Sequence, residues 1–174
     1  QFTDLSAVYL CRSGEPSCFF EMQIFEYTYA HRRRVGYLTA MEKFGYPARV
    51  VSIAGEGWLF EEIGRQGGLT ALREGAFETN TVLCSNDRLA IGLLTACFEE
   101  GWSVGRGADS AIRVAGQDDH PFSRYTCPPL TTVAHDYDAV ASHAVESLFA
   151  AIEGQPGPWK STRLQGKLIM RASA

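Results

Sequence analysis

The sequence predicts an α/β protein: a parallel sheet carrying helices on both faces. Two features of the pattern point there. Short β-rich apolar runs alternate with longer stretches at helical spacing, and glycine or proline closes several of those stretches. Alternation of this kind places strands side by side with helical crossovers between them. Bulk composition agrees, because 45% hydrophobic and 21% charged residues suit a globular chain. At 174 residues it is long enough for one ordinary domain, or for one and a half lobes of a two-lobed protein.

Taken in order, Leu5–Leu10 reads as a short apolar strand, followed by a loop from Cys11 to Pro16. A helical stretch is expected from about Cys18 to Phe44, stopped by Gly45 and Pro47 and unusually aromatic in its front half (Phe19, Phe20, Phe25, Tyr27, Tyr29). Arg49–Ile53 is the next strand, ending in the turn Gly55-Glu56-Gly57. A helix from about Leu59 to Arg73 follows, with Gly67-Gly68 as weak points.

Thr81–Cys84 is a strand and Asp87–Glu100 a helix, with Leu89, Leu93, Ala96 and Cys97 on one face and Gly101 as its stop. Ala111–Ala115 leads into the turn Gly116-Gln117-Asp118-Asp119, and Thr131–Ala134 is another strand. Asp136 or Asp138 caps a helix to Glu153, with Val140, Ala144, Val145, Leu148 and Ile152 at helical spacing. A polar loop then precedes a final strand around Arg163–Met170.

The charge balance argues against direct nucleic-acid binding by this segment. Its 16 basic and 20 acidic residues leave a formal charge of −4, and the sole basic run is Arg32-Arg33-Arg34. That run reads as a solvated helix face from which Arg33 alone is placed to point inward. Five cysteines without a CxxC pair fit neither a disulfide framework nor a zinc site, and read as reduced thiols in the cytoplasm, Cys84 and Cys97 in the core. No stretch of 18 apolar residues and no leader are found, so neither a membrane span nor a signal peptide is expected. The chain begins at Gln1 rather than Met, which reads as a processed product or a fragment.

Chemistry is sought where loops leave the carboxyl ends of parallel strands. Those positions hold Trp58, Asn86-Asp87, Asp118-Asp119 and His135-Asp136-Tyr137. No nucleophile motif accompanies His135 and Asp136, the four histidines lack metal-ligand spacing, and GxG at 55–57 lacks the rest of a dinucleotide fingerprint. An enzyme, a metal site and a bound cofactor are therefore not expected.

Four segments in register resemble the lactose-repressor (LacI/GalR) family of bacterial transcription regulators. They are Asn86-Asp87-Arg88-Leu89-Ala90-Ile91-Gly92, Val114-Ala115-Gly116-Gln117-Asp118-Asp119, Pro128-Pro129-Leu130-Thr131-Thr132-Val133 and Leu168-Ile169-Met170-Arg171-Ala172-Ser173. The resemblance implies a periplasmic-binding-protein-like fold: two Rossmann-like lobes joined by crossover strands, with the amino-terminal lobe incomplete in this chain. On that basis residues 1–48 are part of the amino-terminal lobe, 49–134 the carboxy-terminal lobe, and 135–174 a crossover helix and terminal strands.

The resemblance also implies an effector site made by Arg33, Trp58, Asn86, Asp118, Asp136 and Tyr137, taking a sugar or derivative in the inter-lobe cleft. Asp87 is then the helix cap and Asn86 the ligand contact. The implied partners are operator DNA, reached through a headpiece absent from this chain, and a second subunit in a homodimer. Gln117 stands where the family has an aromatic, and His135 where a Gln is common, so the ligand itself stays open. The alternative is a solute-binding receptor of a sugar ABC transporter, which shares the fold but would need an export signal.

Overall fold

The computed structural model describes residues 17–22, 29–155 and 164–174. Its elements are β1 (Cys18–Met22), α1 (Tyr29–Phe44), β2 (Arg49–Ile53), α2 (Phe60–Arg73), β3 (Thr81–Cys84), α3 (Asp87–Glu99) and β4 (Arg113–Ala115). They continue with a 3-10 turn (Pro121–Arg124), β5 (Thr132–Ala134), α4 (Tyr137–Ile152) and β6 (Lys167–Ile169). The expected strand Leu5–Leu10, the loop after it, Phe25 and Tyr27, and Arg163 lie outside the described residues.

Four strands form one parallel sheet in the order β2-β1-β3-β4, with Cys18 beside both Arg49 and Val82 and Thr81 beside Arg113. This corrects the helix expected from Cys18: Cys-Phe-Phe-Glu-Met is an interior strand, and the helix starts at Tyr29. Both faces of β1 are covered, so its apolar residues do not alternate with polar ones and a strand signal is lost. Cys18 and Phe20 join the core under α2 and α3, while Phe19 joins Tyr37, Ala40 and Met41 of α1 on the opposite face. Helices thus cover both faces, as expected. Strand β1 lies between β2 and β3 in the same sheet.

Helices α2 and α3 pack closely because glycine lines their contact. A Cβ on Gly92 would stand 2.1 Å from the Glu61 carbonyl oxygen, and one on Gly64 2.4 Å from that of Leu89. The helix runs through Gly67-Gly68, where a Cβ on Gly67 would strike the Ile53 side chain. Ion pairs Arg88–Glu61, Arg65–Glu99 and Arg73–Glu100 tie the two helices along their outer rims.

The carboxy-terminal run closes the far side of the sheet. A parallel bridge joins Ala115 to Thr131, and β6 pairs antiparallel with β5, Thr132 opposite Ile169. Val114 N–H donates to the Ser173 carbonyl (2.9 Å), and Ser173 Oγ donates back to that of Val114 (2.6 Å). Helix α4 carries the apolar stripe its spacing predicts, yet Val140, Val145, Leu148, Phe149 and Ile152 are all exposed. Among the described residues nothing covers that stripe.

Candidate functional site

The turn after β4 is the centre of the candidate site. Asp118 and Asp119 both have positive φ, 113° and 48°, a region costly for residues with a Cβ and held there only by surrounding contacts. Those contacts are present. Asp118 N–H donates to the Val133 carbonyl (2.9 Å), Asp119 N–H to Thr132 Oγ1 (3.3 Å) and His120 N–H to Asp87 Oδ2 (2.8 Å). Gly116 leaves the space that Asp87 fills, since a Cβ there would lie 2.2 Å from Asp87 Oδ1.

This conformation turns Asp118 toward α1. Arg33 donates through Nη2 to Asp118 Oδ1 and through Nη1 to Oδ2 (3.3 Å), and Nη1 also reaches the Ser85 carbonyl (2.7 Å) at the end of β3. His135 Nε2 stands 3.2 Å from Asp118 Oδ1, and its ring meets Tyr137 edge to face at 5.7 Å. The Tyr137 phenol is raised above its ordinary value, first by partial burial and then by the charge of Asp118. A carboxylate, a guanidinium and an imidazole are therefore gathered beside an exposed phenol. Such a set offers both donors and acceptors to vicinal hydroxyls.

The other expected site residues divide. Trp58 is 79% exposed on the loop after β2, where it meets the Phe60 ring edge to face, and it is no core residue. Asn86 rather than Asp87 caps α3: its extended backbone (φ −154°, ψ 167°) sets Oδ1 to accept from Leu89 N–H at 2.8 Å. Asp87, one residue on, is buried beneath the turn. Asp136 likewise caps α4, accepting from Ala139 N–H at 2.9 Å. In both cases one side-chain oxygen is engaged by a helix end.

Sequence reasoning missed three participants. Arg34 is exposed as a solvated helix face requires, yet its Nη1 donates to the buried Glu21 (3.0 Å), which also accepts from Ser52 Oγ (3.0 Å). Arg171 reaches Asp119 Oδ1 (2.6 Å), Ser123 Oγ (2.9 Å) and the Leu130 carbonyl (2.8 Å). His135 was visible as a departure from the family pattern, but nothing in its spacing announced its contact with Asp118.

Among the described residues no three His, Cys, Asp or Glu side chains converge to hold a metal ion, and no helix is long and apolar enough to cross a membrane. Burial pushes the Cys18 and Cys97 thiols up to about 12 and Cys84 well above its ordinary value, so all three are core residues.

Comparison with known proteins agrees with this architecture. The profile of the periplasmic binding protein-like domain matches residues 14–174. The lactose operon repressor of Klebsiella pneumoniae is 37% identical over 95 residues, 55% of this chain and 25% of that protein. The HTH-type transcriptional regulator GalS of Salmonella typhimurium is 33% identical over 133 residues, 72% of this chain and 34% of that protein. The chain thus spans a minor part of the curated relatives it matches. Among solved structures, the Lac repressor bound to ONPG superposes with TM-score 0.81 at 26% identity, covering 98% of this chain and 49% of that one. A LacI-family regulatory protein from Chloroflexus aggregans superposes with TM-score 0.81 at 29% identity, covering 97% and 58%. Profile, relatives and superposed structures agree: this chain belongs to the periplasmic binding protein-like domain family, in the form carried by the LacI/GalR transcription regulators.

Proposed function

We propose that this chain is the effector-sensing part of a LacI-type regulator, taking a sugar or sugar derivative beside Asp118. The observation that carries the reading is the left-handed Asp118 held opposite Arg33 and His135 at the carboxyl edge of a parallel sheet. Arg33, Asp118 and Tyr137 would contact the ligand directly, with the free amide of Asn86, Asp136 and the Trp58 ring closing over it. The Lac repressor, a neighbour in fold, was captured with ONPG, which supports a glycoside-sized ligand.

In this reading binding changes the angle between lobes and thereby the spacing of operator-binding headpieces, which is linkage and not catalysis. The protein acts in the cytoplasm as a homodimer. Phe98, Phe122 and Tyr125, 84%, 66% and 76% exposed, supply apolar area for a second subunit to cover.

A thermal-shift screen of the protein against sugars, sugar acids, polyols and nucleobases tests the site. A sugar that raises the melting temperature in the parent and not in Asp118→Ala supports it. A shift that survives the substitution overturns the site, and turnover of the ligand overturns the sensor.

A further inference from the structure

Asp87 touches no solvent, yet it joins three elements at the candidate site. It is the first residue of α3, and its N–H donates to the Gln117 carbonyl (2.8 Å) of the turn. Its Oδ2 accepts from His120 N–H (2.8 Å), and its Oδ1 accepts from Thr132 Oγ1 (2.6 Å) on β5. Both ends of the strained Asp118-Asp119 step are therefore tied to Asp87, Gln117 through its backbone N–H and His120 through its buried carboxyl group.

Its charge is balanced differently from that of its neighbours. Asp118 is paired with Arg33 and Asp119 with Arg171, whereas no ion pair involves Asp87 among the described residues. The turn faces it with Asp118, Asp119 and His120, and β3 with Cys84. The segment after β5 adds Tyr137, and His135 stands behind Asp118 together with Arg33.

We propose that Asp87 is a positioning residue for Asp118: as a carboxylate it fastens the turn, and on protonation it slackens the turn and loosens the effector site. The proposal rests on Asp118 being a ligand contact. Only the charged form makes a charge-assisted bond to the His120 amide. Burial raises Asp87 from 3.8 to about 6, with the two hydrogen bonds opposing that rise, so the change of state falls in a physiological range.

The test needs no ligand. Amide hydrogen-exchange protection at Asp119 and His120 is followed by NMR from pH 4.5 to 7.5, with Val114 N–H of β4, bonded to the Ser173 carbonyl, as the internal reference. Protection at His120 is expected to fall about tenfold on acidification, with a midpoint near 6. The Arg33 guanidinium resonance is expected to move with the same midpoint, because it reports the pose of Asp118. Asp87→Asn is isosteric and should abolish the step. Thr132→Val removes one donor from the carboxylate and should move the midpoint to higher pH.

A pH-independent His120 protection overturns the proposal. So does a step that persists in Asp87→Asn, since it would belong to His120 or His135. An Arg33 resonance that stays still while His120 protection changes also overturns it, because the latch would then not reach Asp118. Failure of Asp118→Ala to abolish a sugar response would instead sink the ligand reading, leaving these exchange results intact.

Discussion

Arg171 Nη2 and Asp119 Oδ1 meet at 2.6 Å, joining residues 52 apart in the chain. The arginine of the carboxy-terminal run thereby anchors the second aspartate of the turn, while Arg33 holds the first from the other side. Both members of the Arg171–Asp119 pair are largely buried, so removing one leaves the other uncompensated. Arg171→Met and Asp119→Ala are each expected to destabilise the fold by about 2–4 kcal/mol, read from urea denaturation. The double variant should cost less than the sum of the two, since the orphaned charge is gone.

Arg33→Lys keeps the charge but loses the fork onto Asp118 and the bond to the Ser85 carbonyl. Ligand affinity is expected to fall about 10- to 100-fold, with stability changed by less than about 1 kcal/mol. Calorimetric titration of the sugar found by the thermal-shift screen, together with the melting temperature, checks both halves.

Trp58→Ala separates a site residue from a core residue. Because the indole is exposed, its removal should change stability by no more than about 0.5 kcal/mol. Affinity for the same sugar should drop if the ring packs on the ligand. A melting temperature lowered by many degrees would place Trp58 in the structural framework instead.

Gly92→Ala addresses the helix pair beneath the site. The new methyl group would strike the backbone at Glu61 and Arg65, which cannot swing aside as a side chain could. A loss of about 2–4 kcal/mol is expected, large for a single methyl group, and chemical denaturation would read it.

Asp87 sets a pH dependence of global stability opposite in sign to the local loosening of the turn, because unfolding returns the carboxylate to water whereas the slackened turn keeps it buried. Its folded pKa is raised, from 3.8 to about 6, so the stability linked to it is fully present below about 4 and is lost as pH rises through about 6. The amount is on the order of 3 kcal/mol. The melting temperature of the parent relative to Asp87→Asn should therefore fall between pH 4 and 7. A flat difference across that range would mean that Asp87 keeps an ordinary carboxylate pKa in the fold.

Most strands and helices were legible because their signals are local. The runs at Arg49–Ile53 and Thr81–Cys84, and the helices beginning at Phe60 and Asp87, carry their own punctuation and apolar spacing. Cys18–Met22 was misread because an interior strand presents apolar residues to both faces, and its only polar member, Glu21, finds Arg34 and Ser52 across the fold. The choice between Asn86 and Asp87 as cap likewise turned on one backbone conformation, which neighbouring residues of similar cap preference do not reveal.

The sequence alone determined the alternation of elements, the four family segments and the polar residues at the carboxyl edge, since each depends on residues close together along the chain. Only the tertiary structure decided that Asp118 faces Arg33, that Asp119 is anchored by Arg171, and that Asp87 sits buried between the turn and β5. Those pairings join residues 33 to 85 positions apart. They arise from the packing of strands and helices on one another, which the order of residues along the chain does not display.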